Sequence, residues 1–352
     1  MPKFMGPWTR VIAAGTLAFS GMAGPALAQA VSTNLPGVTA YLGPPANFNP
    51  LIASDAELEK NHLPPRPDGQ QALGAYSNWA KAMTSGAQAV IPVLERTNVY
   101  HRPAKIVGTA VQTENSTAIN SNNWSGAVLL GDGSNKPFTI EAIQFLSIVP
   151  MAQQAFGACT GSYDYGSAWV GIDGWSSSDV FQAGYEFDAD CSDATKTPFY
   201  SAWYEWFPNG SVRIANFPIS PGDVIFTEIH NTSATQGSAY IQNETANKSV
   251  TISFKAPSGT KLTGDSAEWI VERPGISTGL ATLTNYVVEP FTSATTWNYK
   301  AKTPTYRYPG SATTGTVTTL AVTMLDNNKK PISYAVIGGL EDMWFYDEGS
   351  AR

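Results

Sequence analysis

The chain has 352 residues, a formal net charge of −7 at neutral pH, two Cys and three His. Only 14% of it is charged, against the roughly 25% usual for soluble domains, and an acidic, Lys-poor chain lacks the basic face that nucleic acid demands. It carries no HExxH, no Cys/His cluster and no phosphate-cradling glycine loop, so no metal or nucleotide cofactor is expected.

Residues 1–30 read as a secretory signal. Lys3 and Arg10 give a basic start, and the apolar run from Val11 to Leu27 is broken by Gly15, Gly21 and Pro25. It ends in Ala-Leu-Ala and Ala-Gln-Ala, either of which fits signal-peptidase cleavage. A spanning helix needs about 20 clean apolar residues, which neither this run nor any later one supplies. The expected product is soluble, exported to an extracellular or periplasmic space, and free of the membrane once the signal is gone.

Residues 31–113 form a Pro-rich N-terminal extension with two short helices. The first starts at Ser54, where Ser54-Asp55-Ala56-Glu57 spells a capping box. The second carries Tyr76, Trp79, Ala80 and Met83 at helical spacing, a stripe that must pack on something. The segment is too thin to hold a core alone. It has six Lys and Arg against five Asp and Glu between Val31 and Ala110, whereas 13 face 23 from Val111 to Arg352.

Residues 114–352 change character. Short alternating runs such as NWSGAVLL, FTIEAIQFLSIVP, SAWVGI, FYSAWYEWF and DVIFTEIHN are separated by Gly, Asn, Asp, Ser and Pro. Many short strands with turn signals predict an all-β sandwich or barrel in one domain. Asp326–Lys330 reads as a hairpin turn. Cys159 and Cys191 are expected to form one disulfide, the simplest state for two cysteines in an exported chain.

Several chemistries fail for want of the necessary groups. Gly264–Ala267 (GDSA) looks like a serine-nucleophile loop, but His230 is the only histidine of the β-region and no buried Asp is indicated beside it. Asp173, in GIDGW, has no second D-[ST]-G-like partner and reads as a turn residue. The acidic stretch Asp188–Asp193 lacks a calcium-loop spacing and reads as a solvated hairpin tip.

Two other segments are more informative. In SAWVGIDGWSSSDVFQAG, strand alternation puts Gln182, Gly184 and Glu186 on one face; in AEWIVE, Glu268, Ile270 and Glu272 share a face. An amide and carboxylates on Trp-rich strands cost stability unless partnered or used. Trp203 shares a face with Glu205, while Trp206 faces the other way with Tyr204.

Together with NNWSGAVL (Asn122–Leu129) and WYEW-P (Trp203–Pro208), these segments resemble the glutamic peptidases, the eqolisin family. The resemblance covers nearly the whole β-region. It implies an acid-active secreted endopeptidase built on a concanavalin-like sandwich of two curved antiparallel sheets. The family's catalytic glutamine falls on Gln182 and its catalytic glutamate on Glu272, with Trp169, Glu186, Trp203, Glu205 and Phe207 as substrate-binding positions. Fungal members carry Asp in place of Glu186, Asp in place of Ser201 and Tyr in place of Phe207, which puts subsite preference and pH optimum in doubt. The extension then reads as a pro-segment covering the groove, or else as a segment that simply docks on the β-domain.

The chemistry is coherent. A Glu near its ordinary pKa of about 4.3 is partly ionised in acid and can take a proton from water and return it to the leaving nitrogen. A Gln side-chain NH₂ donates to the developing oxyanion without titrating. Glu268 is the alternative catalytic carboxylate. Glu272 could instead be a structural acid paired to Arg273 or Arg213, Gln182 a merely hydrogen-bonded strand residue, and Trp169, Trp175, Trp203, Trp206 and Trp269 core fillers. The rival functions are a lectin-like carbohydrate-binding sandwich and a glycoside hydrolase using Glu205 and Glu272. The expected partner is an extended polypeptide substrate, acted on by a monomer.

Overall fold

The computed structural model describes residues 27–112, 117–131, 139–159, 161–192, 197–310 and 318–350. Most of the expected signal segment, and Asp193, lie outside them; Asp188 and Asp190, expected in a solvated hairpin tip, are instead buried on the strand Val180–Asp190. No helix among the described residues is long and apolar enough to cross a membrane.

The chain is almost entirely β, in two large, mainly antiparallel sheets. The first sheet runs, neighbour to neighbour, through Thr117–Ser121, Thr318–Leu325, Trp124–Leu130, Ser266–Glu272, Ser167–Ile172, Val180–Asp190, Phe199–Phe207 and Val212–Ile214. The second runs through Met343–Asp347, Val288–Trp297, Ala142–Ile148, Val224–Ser233, Gln236–Asn243 and Lys248–Lys255. Pro331–Ile337 pairs with Thr318–Leu325 on one side and Met343–Asp347 on the other, so it hinges the sheets together at one edge. Asp326 makes that hairpin's turn, its carboxylate accepting the backbone N–H of Asn328 and Lys330.

Period-two alternation sets what each face does. Phe181, Tyr185, Phe187, Trp206 and Trp269 point from the first sheet into the interior. There they meet Phe145, Ile241, Phe254, Phe291 and Phe345 of the second. Burying each such side chain contributes roughly 1.5–3 kcal/mol. Trp269 also donates its indole N–H to the Gln144 carbonyl at 3.0 Å, a polar tie across the sandwich. The opposite face of the first sheet carries a second, separate cluster, which includes Trp124, Trp169, Trp203, Val180 and Ile270.

The extension holds one small apolar cluster of its own and is otherwise distributed over the sandwich. Its helices are Asp55–Lys60, capped by Ser54 and Glu57 as the sequence predicts, and Leu73–Thr84. Trp79 of the second packs with Leu58 and Leu63, and Ala82 rests on Phe226 and Tyr240 of the second sheet. Leu94–Arg96 adds a strand outside Val212–Ile214, and Thr39–Tyr41 adds one outside Lys248–Lys255. Both sheets are thus closed at an edge by this segment. The Cys159–Cys191 disulfide is present.

Candidate active site

The site lies on the outer face of the first sheet, where four adjacent strands bring polar groups into rows. Gln182 stands opposite Glu205 on one side and Gly171 on the other, and Gly171 in turn stands opposite Glu268. Two residues further along, Trp203, Gly184, Trp169 and Ile270 form the next row. Ser201, Glu186, Ser167 and Glu272 form the third. The odd-numbered neighbours Phe181, Ala183 and Tyr185 face the interior, so the same alternation that fills the core aims Gln182 and Glu186 outward.

What covers these rows is the extension, through one residue. His101 is fully buried and touches Glu186, Glu205, Glu272, Gln182 and Trp203 at once. Its ring stacks on Trp203 at 3.7 Å between centroids, tilted by 7°. Its Nε2 lies 2.8 Å from Glu186 Oε1 and its Nδ1 3.2 Å from Glu272 Oε2. Its backbone N–H donates to Glu205 Oε2 at 3.0 Å, and its carbonyl oxygen accepts from Gln182 Nε2 at 2.6 Å. Because that acceptor is a carbonyl, the amide must present its NH₂ here.

Glu272 is held by further donors. Trp169 Nε1 reaches Oε2 at 3.0 Å and Asn123 Nδ2 reaches Oε1 at 3.4 Å. Trp169 is itself positioned edge-on against Trp124. Trp203 donates to Ser167 Oγ at 3.0 Å, which fixes the plane on which His101 stacks. Gln182 Oε1, both carboxylate oxygens of Glu186 and Glu205 Oε1 are buried without a hydrogen-bond partner, and so is His101 Nε2, whose 2.8 Å approach to Glu186 is a close contact without hydrogen-bond alignment.

Burial dominates the electrostatics. It pushes Glu272 above the ordinary carboxylate range, partly offset by the hydrogen bond and charge of His101 and by Asn123. It pushes Glu186 and Glu205 well above that range, with the charge on Glu272 adding to the rise for Glu205. Asp188, behind Glu186, is also raised well above by burial and then by Glu186. His101 is lowered by burial, with Glu272 acting in the opposite direction. The expectation of a Glu272 titrating at its ordinary value is therefore corrected: loss of water from around the carboxylate favours its neutral form.

The other sequence-predicted positions separate cleanly. Glu272 is not paired to arginine: Arg273 donates to the carbonyls of Asn122 and Leu325, and Arg213 pairs with Glu95. Glu268 sits in the row of Gln182, four residues from Glu272, raised well above its ordinary value by burial. Phe207 packs on the outer cluster with Trp175, while Trp206 and Trp269 belong to the interior. Asp173 is a turn residue at φ 67°, accepting the backbone N–H of Thr263 and Asp265. His230 lies in the second sheet, bonded to Glu228, far in topology from Ser266.

His101, Asn123 and Ser167 are site residues that the sequence alone does not single out. Asn123 sits inside the NNWSG motif and Ser167 at the head of SAWVGI, so both are within reach of a motif-based reading; His101 has no local signal. A larger cavity, ≈ 440 Å³, lies where the extension meets the second sheet, lined by His62, Arg66, His230 and Tyr299 among others. It is a seam between packed segments and contains neither Gln182 nor Glu272.

Comparison with known proteins follows the same stretch of chain. A family model described as the peptidase A4 family matches residues 122–333. Aspergillopepsin-2 of Aspergillus niger is 34% identical over 186 residues, covering 49% of this chain and 64% of that protein. Scytalidopepsin B of Scytalidium lignicola is 34% identical over 151 residues, covering 43% of this chain and 51% of that one. The match thus spans between half and two thirds of these relatives' length. Among solved structures, scytalido-glutamic peptidase with a transition-state analogue inhibitor aligns over 64% of this chain and 98% of its own, at 26% identity and a TM-score of 0.49.

Proposed function

The chain belongs to the peptidase A4 family, the glutamic peptidases, and from that membership we propose that it is a secreted acid endopeptidase in which Gln182 and Glu272 carry the reaction. The observation that carries this reading is a peptide carbonyl, that of His101, resting on the Gln182 amide while Glu272 engages the same residue. The outer face of the first sheet is thereby a place where extended polypeptide already lies.

The reaction follows from these groups. Ionised Glu272 takes a proton from water as the water oxygen attacks the scissile carbonyl carbon. The carbonyl oxygen gains charge and receives the Gln182 N–H, a donor already aimed at a carbonyl. Glu272 then passes the proton to the nitrogen, the C–N bond breaks, and a carboxylic acid and an amine leave. Each proton movement is assigned to a side chain of this protein. Trp169 and Asn123 hold the carboxylate; Glu186, Trp203, Glu205 and Phe207 form the walls against which substrate lies.

The pH dependence has a definite sign. Glu272 must be ionised to act as base, so activity falls as pH drops through its pKa, which burial raises in the covered chain and which removal of the extension relaxes toward the ordinary range. Glu186 and Glu205, pushed higher than Glu272 in the covered chain, keep their protons to higher pH and limit the repelling charge that the groove accumulates. The product is an acid optimum bounded on both sides.

Residues 1–30 are proposed as the signal, 31–113 as a pro-segment and 114–352 as the peptidase domain. The family match beginning at residue 122, with the extension lying over the site, supports that division. The working enzyme is proposed as a monomer acting on polypeptides.

The test is digestion of a denatured protein from about pH 2 to about pH 7, after acid incubation, by wild type and by folded Glu272→Gln, Gln182→Ala and Glu268→Gln. Acid-only digestion is expected, abolished in Glu272→Gln and reduced about 10²–10³-fold in Gln182→Ala. Activity that survives Glu272→Gln but not Glu268→Gln moves the base four residues back. Absence of digestion at every pH removes the peptidase reading.

A further inference from the structure

The extension does not merely lie over the site; it lies there in the register of a substrate. Residues on both sides of His101 are fixed by main-chain contacts. Tyr100 exchanges both of its backbone hydrogen bonds with Gly275, at 2.9 and 2.8 Å. Asn123 Nδ2 donates to the carbonyls of Arg102 and Pro103, and Asn123 Oδ1 accepts the N–H of Lys105. Ala104 donates to the Gly174 carbonyl, and the Lys105 carbonyl accepts from the Asn122 N–H. Between these clamps one carbonyl, that of His101, meets the Gln182 amide.

We infer that the His101–Arg102 peptide bond is the bond at which this chain cuts itself, with the His101 imidazole as the latch that delays the cut. The inference rests on the peptidase reading above. With the ring in place, Glu272 is occupied: Oε2 faces Trp169 Nε1 and the imidazole, and Oε1 faces Asn123. The imidazole thus holds an acceptor site on Oε2 that the fixed donors Trp169 and Asn123 leave open for water. A rotation about the His101 side-chain bonds removes the ring and leaves the backbone clamps as they are. The same segment is then an inhibitor with the ring in and a substrate with the ring out.

Acid supplies the reason for the ring to leave. It is faced by Glu186 and Glu272, by Glu205 at its backbone, by Asp188 behind Glu186 and by the neighbouring Arg102. A proton shared between imidazole and carboxylate gives a tight neutral pair or ion pair. A further proton leaves a buried imidazolium among uncharged carboxyls, which is costly away from water. Once the ring is out, water attacks the His101 carbonyl carbon and its proton goes through Glu272 to the Arg102 nitrogen. The C–N bond breaks, leaving a carboxyl terminus at His101 and an amino terminus at Arg102.

The experiment is to acidify the full chain in steps from about pH 7 to about pH 3, a range set to cross the ordinary His and Glu values, and follow it by intact mass and N-terminal sequencing. Expected first is a new N-terminus at Arg102, absent in Glu272→Gln and at least about 10²-fold slower in Gln182→Ala. His101→Ala, which keeps the bond and removes the latch, should shift processing toward neutral pH. Loss of the extension through another bond while 101–102 stays intact overturns the inference, as does an unchanged pH profile in His101→Ala. A parallel sample has its extension nicked by an added neutral protease, which is then inactivated, and is assayed on denatured protein in acid. If that sample digests substrate while the full chain never cuts at 101–102, the inference falls and the peptidase reading stands; if neither acts, both fall.

Discussion

Glu272 receives an indole N–H, a side-chain amide and an imidazole, all on a carboxylate with no exposure to solvent. Each donor favours the ionised form and so works against burial. Removing one must raise the carboxylate's pKa further. Trp169→Phe keeps most of the ring packing against Trp124 and loses only the 3.0 Å hydrogen bond. The acid limb of the pH profile should move upward, by up to about one unit if the bond is worth the roughly 1.4 kcal/mol that one unit represents. A kcat profile that falls in height without moving would show that Trp169 only packs. At this scale the sequence is legible where chemistry sits on a strand: the alternation of Gln182, Glu186, Glu268 and Glu272 is readable because side chains two apart share a face. It is silent on His101. That residue lies 81 positions before Gln182 and 171 before Glu272, in a stretch without periodicity, and only the tertiary docking brings it in.

Among the strands, Gly184 is tightly constrained beside the site. It stands in register with Trp169 on one side and Trp203 on the other. A Cβ there would come within 2.1 Å of the Ala168 carbonyl oxygen and 2.6 Å of Trp169 Cβ. Backbone cannot yield as a flexible side chain would, so Gly184→Ala must push a pair of central strands away from each other. A loss of about 1–3 kcal/mol in urea unfolding is expected, with disproportionate loss of activity because Gln182 and Glu186 flank the position. Wild-type activity and stability in that variant would show that the strands can shift without consequence. The strands themselves are readable from sequence, since short β-branched and aromatic runs bounded by turn residues have few alternatives. Their neighbours are not. Ser266–Glu272 lies between Ser167–Ile172 and Trp124–Leu130, pairings about 100 and 140 residues apart that no local pattern encodes.

At the scale of the whole molecule, buried carboxylates outnumber, among the described residues, the ion pairs that could compensate them. Glu186, Asp188, Glu205, Glu268 and Glu289 are all pushed well above their ordinary range by burial. Asp173 is raised from 3.8 to about 6, chiefly by burial. A carboxyl with a raised folded pKa binds its proton more tightly folded than unfolded. Its contribution is complete below the unfolded value of roughly 4 and is lost as pH rises through the folded value. For Asp173 alone that is on the order of 3 kcal/mol. Surface pairs such as Arg213 with Glu95 and Lys81 with Glu244, which acid would break, contribute little. Thermal unfolding of Glu272→Gln, in which self-digestion is suppressed, should therefore show a melting temperature that rises from about pH 7 toward about pH 4. A melting temperature that falls over the same range would contradict the assignment of neutral buried carboxyls. The sparse charge of the sequence hints at acid tolerance, but the sign follows only once the carboxyls are seen to be buried.

The extension's two added strands carry a consequence of their own. Leu94–Arg96 and Thr39–Tyr41 cover the backbone of Val212–Ile214 and of Lys248–Lys255. A molecule stripped of residues 31–101 exposes two rows of unpaired N–H and C=O groups that the newly made chain never shows to solvent. Such rows are templates for any extended chain. One molecule's bare margin can therefore capture another's, and light scattering after acid processing should grow with protein concentration, whereas the unprocessed Glu272→Gln chain under the same acid stays dispersed. Maturation would then set a limit on shelf life as well as switching on the groove.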